Sequence, residues 1–298
     1  MEAPAFRPIE LSGGAVGPRP KAYVLRLKDA PIGVFDSGVG GLTVVKSLRA
    51  RLPHEQVVYL GDTARIPYGT RSPLTVERYA VQNAAFLEAM NIKMLVIACN
   101  TASALALVRL RELEPTLPTL GVIVPGAKQA VRTSRGGRIG VIGTEATVAS
   151  GAYTAAIHGF NPTAEVISRA CPLFVALAEE GWTAHEEATR LIARTYLEPL
   201  CEAEVDTLVL GCTHYPILRE VIAEVMGPDV ALIDSGEAVA EEVAITLAAR
   251  DQMRTEGSAP ESHFFVTDAA DRFRRVAELF LGAPLDRFET VDVVKEPL

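Results

Sequence analysis

The 298-residue sequence predicts an α/β protein made of two similar domains, each built on a doubly wound parallel sheet. Three observations carry this expectation. Short apolar runs rich in Val, Ile and Leu alternate with longer amphipathic stretches, the order of βαβ units whose sheets are covered on both faces. The length suits one large domain or two of about 150 residues. The chain also echoes itself: Ile32-Gly33-Val34 returns as Ile139-Gly140-Val141, and Leu95-Val96-Ile97-Ala98-Cys99-Asn100-Thr101 returns as Leu208-Val209-Leu210-Gly211-Cys212-Thr213-His214.

Taken in order, residues 1–29 are rich in Gly and Pro and lack the apolar centre of a signal sequence, so they are expected to form a flexible extension. Residues 32–35 read as the first strand. The glycine-rich loop Asp36-Ser37-Gly38-Val39-Gly40-Gly41 leads from it into a helix over Leu42–Arg51. Residues 56–60 form the second strand, followed by a loop over 61–70. Ser72 and Pro73 read as the cap and first residue of a helix reaching residue 90, whose apolar residues recur at helical spacing. Further strands are expected over residues 94–98, 119–124, 138–142, 164–168, 207–210, 231–233 and 263–266. Helices are expected over 184–198 and 217–226, with Pro216 suiting the first turn of the latter. The first domain is expected to take residues 30–124 and 234–298, and the second residues 125–233.

Composition narrows the function. The chain is 49% apolar and 22% charged, an ordinary globular balance with enough apolar residues for a core. Its formal net charge of −8 argues against sequence-independent nucleic-acid binding, which needs basic stripes. A small anion can still be held by backbone N–H groups. No run of about 18 apolar residues occurs, so no membrane helix is expected, and the cytoplasm is the natural compartment. The four cysteines show no C-x-x-C pair, so no zinc site is expected. Cys171 and Cys201 read as small buried hydrophobes. No metal site and no pyridoxal-phosphate lysine motif is evident, so no cofactor is expected.

Cys99 and Cys212 read differently. Each ends an apolar strand, where ligands of open α/β sheets bind. Each precedes a helix, whose free N–H groups and positive dipole end favour thiolate over thiol, so a modestly lowered pKa is expected. Two thiols facing one another suit racemisation at a carbon acid: one thiolate removes the α-proton while a thiol on the opposite face donates one, and the roles exchange on reversal. His214 lies two residues from Cys212 and could orient substrate or share a proton; it reads equally as an ordinary turn histidine. Asp36 places a carboxylate where an ammonium group could sit, and Tyr68-Gly69 could offer backbone N–H groups to a carboxylate. As bare patterns, these two loops also fit a capped strand-to-helix turn and a simple Pro-Tyr-Gly turn.

Together the segments resemble glutamate racemase. The resemblance rests on Asp36-Ser37-Gly38-Val39-Gly40-Gly41, Gly61-Asp62-Thr63 with Pro67-Tyr68-Gly69, Ala98-Cys99-Asn100-Thr101-Ala102-Ser103, Gly140-Val141-Ile142-Gly143-Thr144, Ala170-Cys171-Pro172-Leu173-Phe174-Val175, Gly211-Cys212-Thr213-His214-Tyr215-Pro216 and Ile233-Asp234-Ser235-Gly236. These run in order over about residues 31–290. It implies two pseudo-symmetric, doubly wound parallel-sheet domains with the active site between them, and cofactor-independent interconversion of L- and D-glutamate by a homodimer whose product feeds peptidoglycan. Cys99 and Cys212 would be the acid/bases. Asp36 and Ser37 would meet the amino group. Asn100, Thr101, Thr213 and the Tyr68-Gly69 turn would hold carboxylates, His214 would assist Cys212, and Thr144 and Thr147 would add substrate contacts. Glu179 would lie near the site, with Glu180 the competing choice. Alternatives are an aspartate or other amino-acid racemase, a non-catalytic dicarboxylate-binding protein, and a thiol hydrolase; the last lacks a clear group to orient His214.

Overall fold

The computed structural model describes residues 28–257, 261–268, 270–285 and 287–294; the expected extension lies outside these apart from residues 28 and 29. The elements are β1 (Ile32–Asp36), α1 (Leu42–Arg51), β2 (Val57–Gly61), α2 (Pro73–Glu88), β3 (Met94–Ile97), α3 (Asn100–Leu105), α4 (Leu107–Leu113), β4 (Thr119–Gly121), α5 (Ile123–Thr133), β5 (Arg138–Gly143), α6 (Glu145–Ala149), α7 (Ala152–Phe160), β6 (Glu165–Ala170), α8 (Leu173–Glu180), α9 (Glu187–Glu202), β7 (Thr207–Gly211), α10 (Arg219–Met226), β8 (Ala231–Asp234), α11 (Ser235–Ala249), β9 (His263–Val266), α12 (Ala270–Leu281) and β10 (Glu289–Thr290). Short 3₁₀ turns cover Tyr68–Thr70 and Tyr215–Leu218.

The strands form two wholly parallel sheets, ordered β10-β9-β2-β1-β3-β4 and β6-β5-β7-β8. The sequence echo is a repeat of register. Ile32 pairs with Met94 and Gly33 with Leu95 in the first sheet; Ile139 pairs with Thr207 and Gly140 with Leu208 in the second. In both sheets chain order reverses beside the first of these strands, so a switch point opens at the carboxyl ends of β1/β3 and of β5/β7. A continuous apolar cluster runs from Val34 and Val96 of the first sheet, through Val44 and Val45 of α1 and Val239 and Ala240 of α11, to Leu208 and Leu210 of the second. Helix α11 therefore ties the two sheets together. Among the described residues no helix is long and apolar enough to cross a membrane.

The sequence expectations differ from this fold in local ways. The run over 119–124 is strand only to Gly121, and Ile123 already opens α5, so the boundary expected at residues 124 and 125 falls inside a helix. The helix expected from residue 184 begins at Glu187, because the Thr183 N–H donates to the Glu186 carboxylate (2.6 Å) and fixes a turn there. The helix expected from residue 217 begins as a 3₁₀ turn and becomes α-helical at Arg219. Cys201 is exposed on α9 rather than buried, whereas Cys171 is buried as expected. Strand β10, two residues long, carries no apolar run to announce it.

Candidate active site

The carboxyl ends of the two central strand pairs open into one cavity of about 310 Å³, at the small end of ligand pockets. Both thiols line it. Cys99 follows β3 and caps α3, its sulfur accepting the Ala102 N–H at 3.4 Å. Cys212 follows β7 and precedes the 3₁₀ turn at Tyr215. All four cysteines are free thiols. Ser37, Tyr68, Gly69, Asn100, Thr101, Thr144, Glu179, Glu180, Thr213 and His214 also line the cavity. Among the described residues no three His, Cys, Asp or Glu side chains meet in a way that could hold a metal ion.

The lowered pKa expected for Cys99 does not hold. Burial pushes this thiol up to about 12, and the neighbouring Asp36 charge adds to the effect, while the Ala102 N–H and the Ser37 hydroxyl 3.5 Å away only partly offset them. One N–H bond from a six-residue helix does not repay the loss of water. Cys99 is therefore a thiol at neutral pH.

His214 backs Cys212. Its Nδ1 lies 3.8 Å from the sulfur and its Nε2 3.1 Å from Glu179 Oε1. Burial alone would favour the neutral ring, but hydrogen bonds and charge from Cys212 and Glu179 outweigh it and raise the histidine to about 10. Glu179 is held below the usual carboxylate range: burial works against this, but His214 and Arg272 prevail. The Arg272 guanidinium donates to Glu179 Oε2 at 2.7 Å. The chain Arg272–Glu179–His214 thus keeps a positive ring beside Cys212, and it separates Glu179 from Glu180 as the carboxylate engaged here.

Asp36 and Thr147 do not line the cavity; they lie one layer behind it. Asp36 is fully buried beneath the glycine loop, accepting from the Gly38 N–H (2.9 Å) and the Thr213 hydroxyl (3.4 Å). Burial raises its pKa, with His214 and the loop N–H groups pulling the other way. The carboxyl therefore sits behind Ser37, one layer from the cavity. Thr147 is turned inward because α6 is capped by Thr144, whose hydroxyl accepts the Thr147 N–H (3.2 Å). The Thr101, Thr144 and Thr147 hydroxyls interlock at 2.9 to 3.1 Å, joining α3 to α6 across the two sheets.

The glycine loop must lie close to the Cys212 loop. A β-carbon at Gly40 would stand 2.5 Å from His214 Nδ1 and closer still to the Thr213 hydroxyl. The Thr43 hydroxyl fastens the approach, lying 2.9 Å from Gly40 O and 3.0 Å from Thr213 O. The Tyr68-Gly69 turn is anchored from below: the Tyr68 hydroxyl donates to Asp62, which also accepts from Arg65 Nε (2.7 Å) and the Thr267 hydroxyl (3.1 Å). Residue Gly69 packs against Thr144, leaving no room for a side chain.

Sequence reasoning missed Arg272, which comes from α12 with no cysteine or glycine motif nearby. It also missed the apolar wall of Ile66, Pro67, Pro172, Val175 and Ala176, and Tyr153, whose hydroxyl donates to Asn100 Oδ1 at 2.7 Å. Of these, Pro67 and the Ala170–Val175 stretch were visible as parts of a family resemblance without a role for each residue.

Known proteins share this sequence pattern and fold. The Asp/Glu/Hydantoin racemase family matches residues 42–243. A glutamate racemase of Geobacter metallireducens is 55% identical over 254 residues, 85% of this chain and 93% of that protein. One from Chlorobaculum tepidum is 49% identical, over 88% of this chain and 96% of its own. Among solved structures, Francisella tularensis glutamate racemase in complex with D-glutamate superposes with a TM-score of 0.83 at 41% identity, covering 89% of this chain and 98% of that one.

Proposed function

Because this chain belongs to the Asp/Glu/Hydantoin racemase family, we propose that it interconverts L- and D-glutamate by two-base proton transfer, without a cofactor. The observation that carries the reading is the pair of strand-end thiols, Cys99 after β3 and Cys212 after β7, opening into one cavity. The similarity to glutamate racemases and to a D-glutamate complex supports glutamate as the substrate.

In this reading the α-carbon sits between the sulfurs. With Cys212 as thiolate, the positive His214 ring beside it stabilises the negative sulfur, which takes the α-proton. The electron pair left on the carbon delocalises into the α-carboxylate. Cys99, resting as a thiol, donates its proton to the opposite face and becomes the thiolate, so the next turnover runs in reverse. Asn100, Thr101, Thr144 and the Tyr68-Gly69 backbone supply donors for the two carboxylates. Ser37, with the buried Asp36 charge behind it, favours the ammonium group. The two domains, taken as residues 30–124 with 234–298 and 125–233, would each contribute one thiol. The peptidoglycan role and a homodimeric assembly rest on the family resemblance.

The test is circular dichroism of the purified protein with L-glutamate in deuterated buffer and no added cofactor, followed by mass analysis. Decay of the signal with one deuterium gained at the α-carbon supports the reading. Decay with aspartate alone would move the substrate, and an unchanged signal with both would leave a dicarboxylate-binding protein.

A further inference from the structure

We propose that Tyr153 is a positioning residue that fixes the Asn100 amide so that its Nδ2 donates to a substrate carboxylate; this rests on the reading of the cavity as a glutamate site. Tyr153 belongs to α7, on the second sheet, yet its hydroxyl crosses to Asn100, the residue after Cys99. Both side chains are almost fully buried. The phenol donates to Oδ1 at 2.7 Å, while Nδ2 has no hydrogen-bond partner among the described residues. A buried amide with one face satisfied and the other vacant costs stability unless a ligand completes it. Asn100 is one of the residues lining the cavity, so its buried, unpaired Nδ2 lies beside the space where an anion is to be held.

The direction of the amide matters. An asparagine can rotate its carboxamide end for end, exchanging donor and acceptor. Turned the other way, Asn100 would present its carbonyl oxygen to a carboxylate and repel it. With its proton on Oδ1, the phenol favours the orientation that leaves Nδ2 for the carboxylate. The ring itself is held on the Cys212 side, packed beside Gly211, the residue before that thiol. A β-carbon at Gly211 would come within 3.0 Å of the ring. Tyr153 thus touches the residue before Cys212 and the residue after Cys99, and joins the binding amide to both proton-transfer sites.

Tyr153→Phe keeps the ring and removes only the donor. It is expected to raise KM for both enantiomers, and the dissociation constant of D-glutamate measured by calorimetry, about tenfold. The turnover number should change less. Asn100→Ala should weaken binding similarly, and the double variant should bind no worse than Asn100→Ala alone, because Tyr153 acts through the amide. Additive effects, or unchanged binding in Tyr153→Phe, would overturn the proposal. The Asn100 side-chain amide resonances, assigned by their loss in Asn100→Ala, give a second readout independent of turnover. In the wild type they should shift on saturation with D-glutamate, and in Tyr153→Phe they should move without ligand. Wild-type protein that neither binds nor racemises glutamate would refute the functional reading, whereas resonances untouched by Tyr153→Phe would refute the positioning role by itself.

Discussion

The Cys99 and Cys212 loops start from the same plan and end with different chemistry. Each thiol follows the second strand of a matched parallel pair and enters the same cavity. After Cys99 come Asn100 and a helix, and the thiol's partners are an N–H group and the Ser37 hydroxyl, with the buried Asp36 charge nearby. After Cys212 come Thr213, His214 and a 3₁₀ turn, and the sulfur sits beside a positive imidazole backed by Glu179 and Arg272. One thiol holds its proton tightly; the other has a cation beside it, ready for a negative sulfur. The difference shows that strand-end position places a thiol, while the neighbours placed by other elements decide its proton affinity.

The largest effect should come from removing either sulfur. Cys99→Ser and Cys212→Ser should each lower racemisation by about 10³-fold or more in both directions, read as loss of the dichroic signal change. Wild-type rates in both would end the two-thiol account. Next, His214→Asn should slow turnover by about 10²-fold and do so unequally in the two directions, since only the Cys212 side loses its cation; progress curves started from each enantiomer measure this. Equal losses would mean that His214 serves both thiols alike.

A smaller, structural effect separates the residues before the thiols. Ala98 and Gly211 occupy matching places. Gly211→Ala would put a β-carbon 2.6 Å from Ile142 O and 3.0 Å from Tyr153, and should cost about 1–3 kcal/mol in denaturant unfolding. Ala98→Gly should cost under about 1 kcal/mol. The smallest effect is on pH dependence. The folded-state pKa of His214 is raised, to about 10, so its contribution is fully present below the ordinary value of 6.5 and is lost as pH rises through 10. Melting temperature should therefore fall over that window in the wild type, and less steeply in His214→Asn.

Much of this was legible in the chain. The strand-helix alternation, the repeat of Ile-Gly-Val and of the cysteine loops, and the position of both thiols follow from apolar runs and glycines that act locally. Glu179 was legible only through the resemblance, as a carboxylate near the site; its pairing with His214 and the choice over Glu180 needed the 3.1 Å contact. Arg272 and Tyr153 were not legible, because each joins elements far apart in sequence through side chains whose types have many other uses, and the anchoring of Tyr68 by Asp62 depends on how the loop between them folds. The raised Cys99 pKa was misread for a similar reason: the helix end is a local feature, whereas burial is set by the whole fold.

The most direct test of the two-sided account is exchange of the α-hydrogen in deuterated buffer, followed by mass analysis for each enantiomer separately, in Cys99→Ser and in Cys212→Ser. The account predicts opposite preferences: each variant labels chiefly the enantiomer whose α-proton faces its remaining thiol. Labelling of the same enantiomer by both variants would contradict the placement of the two thiols on opposite faces of the α-carbon.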